Sequence, residues 1–237
     1  MNDGLFHFKR FSVAHSRSSM KVGVDGVLIG AWADCQGDSI LDVGTGCGLI
    51  ALMMAQRNPS AEILAIDVDA PSVGEASSNF RKSPWGDRLE ARLASYSAIV
   101  NSGGFKFDRI ISNPPYFDSG VTDFSTSRNV ARHQGELSPS VLISSAKELL
   151  SDSGTLSMIV PAEFCDSLLS EGSDAGLCPV RICFVKGTTR KLPKRVMLEF
   201  SLGERGEPVV STLAMFDSGG VPTEEYRSLC HDFYLKF

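Results

Sequence analysis

Between residues 39 and 161 the chain alternates short apolar runs with helix-forming stretches, and this alternation restricts the architecture more than any other feature. SILDVG (39–44), AEILAIDVD (61–69), RLEARLA (88–94), FDRIISN (107–113) and GTLSMIVP (154–161) read as strands, the third more weakly than the rest. CGLIALMMAQR (47–57), residues 72–82, a short stretch after 94 and LSPSVLISSAKELLS (137–151) read as helices. Such a succession predicts an α/β fold of the Rossmann-like kind, in which a parallel sheet is wrapped by helices on both faces. After 161 the texture changes. PVRICFV (179–185), RVMLEFSL (195–202) and EPVVSTLAM (207–215) read as antiparallel strands that close a mostly parallel sheet. Upstream, a polar arm leads into DGVLIGAWA (25–33), a short helix with Asp25 placed to cap its start. No linker divides the 237 residues, so a single domain with an N-terminal arm of about 1–35 is expected.

Composition narrows the classes of function. Six scattered cysteines without a CxxC pair, and four histidines without HxxxH spacing, argue for reduced thiols and against a metal site or disulfide framework. No apolar stretch approaches a membrane span and the N-terminus lacks a signal-like core, which points to a cytoplasmic protein. A net charge of −5 excludes a uniformly basic coat but not local basic faces.

LDVGTGCGLI (41–50) stands at the strand-to-helix junction where open α/β sheets bind ligands. Gly44, Gly46 and Gly48 let the backbone turn sharply and approach a ligand without Cβ interference. A dinucleotide fingerprint would place its third glycine at position 49, which is Leu49, and no phosphate-pairing lysine follows. The GxGxG pattern, preceded by Asp42, instead resembles the first motif of Rossmann-like S-adenosylmethionine-dependent methyltransferases. Asp67, at the end of the next strand, is placed to accept from both ribose hydroxyls of a nucleoside or to cap the following helix, with Asp69 a weaker substitute.

ISNPPYF (111–117) ends a buried strand with Asn113, Pro114, Pro115 and Tyr116. Proline cannot donate to a ladder, so the strand must stop there. An exocyclic amine conjugated to a ring is a poor nucleophile until its nitrogen moves toward tetrahedral geometry. Two acceptors holding its N–H bonds favour that geometry and stabilise the developing charge. Asn113 offers a side-chain oxygen, Pro114 a carbonyl made rigid by Pro115, and Tyr116 a flat face for a planar substrate. The same four residues also suit a plain strand-ending turn. Placement beside the glycine loop, at one sheet edge, favours methyl transfer to nitrogen.

The chain is similar to the amino-methyltransferases marked by Asn or Asp, two prolines and an aromatic residue. FHFKRFSVAHSRSSMKVGVDGVLIGAWA (6–33) closely resembles the start of bacterial tRNA1(Val) (adenine37-N6)-methyltransferases; SPWGDR (83–88), ARH (131–133) and KLPKRVMLEF (191–200) look like that family too. The resemblance implies a Rossmann-like fold with a mostly parallel seven-stranded sheet and antiparallel C-terminal strands, and transfer of a methyl from S-adenosylmethionine to N6 of adenine 37 in a tRNA anticodon loop. It implies cofactor contact at Lys21, Gly23, Asp25, Asp42, Gly44, Gly46, Gly48, Asp67 and Asn113. It also places Ser95 where related enzymes carry an acid facing the cofactor's adenine.

A tRNA partner requires positive charge. Arg181, Lys186, Arg190, Lys191, Lys194 and Arg195 form one acid-free run; Lys9, Arg10 and Arg17 form another, interleaved with Phe6, Phe8 and Phe11. Lys9, Arg10, Arg190, Lys191, Lys194, Arg195 and Tyr116 are the candidate substrate contacts. The phenylalanines suit core and base stacking equally. Arg128, Arg132 and His133 fit either substrate contact or a lid. A monomer without metal is expected. The alternatives are methylation of a protein glutamine amide, which presents the same NH2 geometry, and a non-catalytic RNA-binding protein retaining the fold.

Overall fold

The computed structural model describes residues 4–115, 137–203 and 206–237. The chain runs β1 (Leu5–His7), β2 (Ser12–Ala14), α1 (Val24–Trp32), β3 (Ser39–Val43), α2 (Leu49–Arg57), β4 (Glu62–Asp67), α3 (Ala70–Lys82), β5 (Leu89–Leu93), α4 (Tyr96–Ser102) and β6 (Phe107–Ser112). It continues through α5 (Pro139–Leu149), β7 (Leu150–Pro161), α6 (Cys165–Asp174), β8 (Leu177–Thr188), β9 (Arg195–Leu202), β10 (Val209–Phe216) and α7 (Glu224–Cys230).

The central sheet has the order β10-β8-β9-β7-β6-β3-β4-β5. Neighbours from β5 to β7 are parallel. All eight runs read as strands join this sheet, one more than the seven the resemblance implies, and only β9 runs against the rest. It is antiparallel to both β7 and β8, whereas β10 lies parallel to β8. Both sides of β9 are occupied, so the chain returning from it adds at the nearer sheet edge, beside β8, and there it points the same way as β8.

Alternation along β3 shows how the faces are assigned. Ile40 joins the apolar cluster that contains α1 and α2; Leu41 and Val43 join the cluster on the opposite face, beneath α4 and α5. Asp42 shares the side of Ile40 and lies under α2, fully buried. Sequence order reverses between β3 and β6, where β4 continues one way and β7 the other. The carboxyl ends of β5, β4, β3 and β6 are therefore adjacent, with Val43 opposite both Ile66 and Ser112. Such a reversal opens a crevice at the strand ends.

The N-terminal arm is not simply polar. β1 and β2 form an antiparallel hairpin whose Phe8, Phe11 and Val13 are buried. Phe8 stacks on Phe11 with ring centroids 4.7 Å apart, and Phe11 meets Trp85 edge-on at 5.9 Å. These rings are core. Asp25 does not cap α1: the helix begins one residue earlier, Gly23 is the cap position, and the Asp25 carboxylate is paired with Arg195 instead. Asp69 caps α3, accepting from Ser72 N at 3.0 Å.

Arg181, from the basic run, is also committed to the scaffold. It holds the buried Glu199 through contacts of 2.6 and 2.7 Å and stacks 4.1 Å over Trp32. Glu199 further accepts from Ser157 Oγ at 2.8 Å and Asp34 N at 3.1 Å, which ties β9 to the end of α1. Among the described residues no helix is long and apolar enough to cross a membrane.

Gly48, at the N-cap of α2, has φ +85°, and a Cβ there would stand 2.5 Å from Phe80 Cε1. Left-handed backbone and overpacking act together, so Gly48→Ala should cost about 2–4 kcal/mol. Urea unfolding should show a lower midpoint with an unchanged m-value.

Candidate active site

The glycine loop is fixed from below and from the side. Gly44 N and Thr45 N both donate to Ile66 O, at 2.9 and 3.0 Å, and Gly46 N donates to Asp67 Oδ2 at 2.9 Å. Gly44 and Gly46 have φ of +71° and +54°, conformations that L side chains rarely adopt. Under the loop, Asp42 Oδ2 accepts from Thr45 Oγ1 at 2.6 Å and from Ala51 N at 3.1 Å, while its Oδ1 has no partner among the described residues. Complete burial pushes the Asp42 carboxyl up to about 7.

Two cavities flank Gly44. The larger, about 150 Å³, is lined by Met20, Lys21, Gly23, Val24, Asp25 and Gly26 on one side and by Gly44–Cys47, Leu49, Ile50 and Asn113 on the other. The smaller, about 30 Å³, lies between Val43, Gly44, Asp67, Val68, Ser95 and Tyr96. Burial raises Asp67 from the ordinary carboxylate range, opposed by backbone donation from Asp69 and Gly46. Cys47 is pushed up to about 12, mainly by burial, and stays a neutral thiol in the cavity wall.

Of the residues singled out from sequence, Lys21, Gly23, Asp25, Gly44, Gly46 and Asn113 line the larger cavity, and Asp67 and Ser95 the smaller. Ser95 Oγ also caps α4, accepting from Ala98 N at 3.1 Å. Asp42 and Gly48 line neither: the first braces the loop and the second packs on Phe80. Asn113 is half-buried on the cavity wall, and its Oδ1, itself out of contact with solvent, has no hydrogen-bond partner among the described residues. Pro114 is buried and Pro115 half-buried immediately beyond it. Tyr116, Arg128, Arg132 and His133 lie outside the described residues.

The basic candidates separate into two groups. Lys9 Nζ donates to the carbonyls of His231 and Phe237, and Arg10 sits 5.4 Å over Trp85, so these two serve the packing of the arm. β8 ends and β9 begins at the same sheet edge as the cavities. Arg190, Lys191 and Lys194 are exposed on the turn between them. Arg195 follows, with Nε 2.9 Å from Asp25 Oδ2 in the cavity wall.

The roof over the glycine loop was not legible in the sequence. Residues 15–22 form a strap. Glu75 on α3, only 4% exposed, accepts from Ser16 N at 2.9 Å, Arg17 N at 3.1 Å and Ser18 N at 2.8 Å. Asn79 on the same helix holds Ala14 N, Ala14 O and Cys47 O. A Cβ at Gly46 would lie 3.2 Å from Ser18 Oγ, so strap and loop are in close apposition. An acid one turn from an asparagine on a helix carries no sign of this role until the strap folds over it.

Residues 25–167 match the methyltransferase small domain family. The chain is 42% identical over 234 residues to the tRNA1(Val) (adenine(37)-N6)-methyltransferase of Actinobacillus succinogenes, covering 98% of both chains. It is 42% identical over 236 residues to the enzyme of the same name from Phocaeicola vulgatus, covering 99% of both. The chain belongs to this family. A protein described as a predicted O-methyltransferase from Agrobacterium tumefaciens superimposes with a TM-score of 0.67 at 20% identity, over 88% of this chain and 96% of that one, and shows the shared fold alone.

Family membership makes S-adenosylmethionine the methyl donor. The residues present fit a nucleoside sulfonium. Gly44, without a Cβ, borders both cavities, the Asp67 carboxylate lines the smaller at a strand end, and Asn113, whose amide oxygen has no partner among the described residues, lines the larger.

Two outcomes test the site. Glu75→Gln should raise the Kd for S-adenosylmethionine about tenfold in calorimetry, because a neutral amide cannot hold three converging N–H groups as the carboxylate does. Because the folded state keeps Asp42 protonated above its unfolded range, Asp42 binds its proton more tightly folded than unfolded. Its contribution to stability is thus complete at acid pH, falls from about pH 4 to about pH 7 and then levels. Thermal melts should show wild type losing stability relative to Asp42→Asn across that window.

Proposed function

We propose that this chain transfers a methyl group from S-adenosylmethionine to N6 of adenine 37 in tRNA1(Val), as a cytoplasmic monomer whose arm, about 1–35, is part of a single methyltransferase domain. The observation that carries the reading is the Asn113 side-chain oxygen, screened from solvent on the wall of the glycine-lined cavity without a partner among the described residues. A buried acceptor left unsatisfied costs free energy, which a donor arriving with the substrate would recover.

The cofactor supplies a methyl group made electrophilic by a sulfonium centre. Gly44 and Gly46 would allow it close backbone approach, Asp67 would accept from ribose hydroxyls, and Lys21, Gly23 and Asp25 would border it on the other wall. Asn113 Oδ1 accepts one N–H of the target amine and the Pro114 carbonyl the second, which aims the nitrogen lone pair along the transfer axis. Tyr116 is assigned to stacking on the base. With the amine losing its proton after transfer, no strong general base is needed. Arg190, Lys191 and Lys194 at the same edge contact RNA phosphate, and Arg195 reaches the site through Asp25. An anticodon-loop adenine is already accessible, so presenting it costs less than extrusion from a duplex.

Purified protein with labelled cofactor should place label on N6-methyladenine in unmodified valine tRNA, and none on a glutamine peptide. Asn113→Ala should lower kcat about 10²- to 10³-fold while leaving cofactor affinity within twofold. Equal loss of binding and turnover would remove Asn113 from the amine.

A further inference from the structure

Leu192 is the most exposed large apolar side chain among the described residues, at 84%. It sits in the turn between β8 and β9, followed by Pro193 and flanked by Arg190, Lys191, Lys194 and Arg195, with no acid in the turn. Solitary surface leucines are common and need no explanation. The setting of this one differs. The turn is stitched at both ends: Thr189 N donates to Phe216 O at 3.0 Å, Lys191 N to Thr188 O at 3.1 Å and Lys194 N to Val185 O at 3.0 Å. The apolar tip is therefore held out on an ordered backbone. Arg195, three residues on, contacts Asp25 in the cavity wall, and three residues of chain span at most roughly 11 Å. An apolar tip flanked by cations, on the turn that leads into Arg195 and its contact in the cavity wall, matches the way nucleic-acid-binding proteins unstack bases. The cations grip phosphate and the aliphatic wedge enters the gap between bases.

We propose that Leu192 is a base-unstacking wedge that contacts the RNA loop beside the target adenine and keeps that adenine turned out toward Asn113. The proposal rests on the tRNA-methylating reading above. It commits to single-stranded loop RNA as the occupant, because charge complementarity calls for a polyanion and a wedge needs bases that can part. Phosphate contact and wedge are separable. Lys191 contributes to affinity through charge; Leu192 contributes to the conformation of the bound loop.

The test uses an anticodon stem-loop of valine tRNA carrying 2-aminopurine beside the target adenine, with wild type, Leu192→Ser, Leu192→Met and Lys191→Ala. Wild type should methylate the unlabelled stem-loop and raise 2-aminopurine fluorescence on binding. Leu192→Ser should lose most of that rise at saturating enzyme and at least tenfold in kcat, with cofactor Kd and the salt slope of RNA binding unchanged. Leu192→Met should restore both. Lys191→Ala should weaken RNA binding and reduce the salt slope by about 0.7, the single-strand value per phosphate, yet retain the full rise at saturation. Wild-type turnover with Leu192→Ser equal to wild type in fluorescence and kcat overturns the wedge. No methylation by wild-type enzyme overturns instead the functional reading beneath it. Because Leu192 is exposed, the serine variant should melt with wild type.

Discussion

The hydrogen bonds from Gly44 N and Thr45 N to Ile66 O, with Gly46 N on Asp67, clamp the loop after β3 to the end of β4. Everything the site does depends on that clamp. It holds three successive residues in an arc that leaves cavities on both sides, and it can form only because β3 and β4 are parallel and in register at Val43 and Ile66. On the other flank, Ser112 Oγ donates to Val43 O at 2.8 Å and delivers Asn113 to the same edge. A one-residue slip in either pairing would turn the neighbouring side chains to the opposite face.

Charge is distributed by the same economy of contacts. Basic groups among the described residues serve different ends. Arg181 satisfies buried Glu199, Lys9 fastens the chain's last residues, and the turn from 190 to 194 carries its cations outward. The pairing of Arg195 with Asp25 joins that outward turn to the cavity wall. Basic residues adjacent in sequence thus do different work, according to whether a carboxylate or carbonyl waits within reach.

The parallel core, the glycine loop, the acid after it and the Asn-Pro-Pro turn could all be read in advance, because each depends on local chemistry or on period. SILDV and EILAID are runs suited to burial from two sides, and prolines end a strand wherever it lies. EPVVSTLAM was read as a strand and forms β10, but its parallel pairing with β8 was not legible, since direction follows from which edge the returning chain joins. Nor were the hairpin of the arm, the buried phenylalanines or Glu75. An acid that gathers backbone amides from residues 57 to 59 positions away looks, in sequence, like an ordinary solvated one.

Sequence by itself determined the alternating α/β order, the placing of glycines where backbone must turn left-handed, and an amide followed by stiff backbone at a strand end. Those are properties of residues and their near neighbours. Only the tertiary structure decided that Asp42 and Gly48 brace the loop from outside the cavities, that a strap held by Glu75 roofs the site, and which cations remain exposed at its edge. Such matters are settled by pairing across long sequence separations, where burial and reach, not residue type, select the partner.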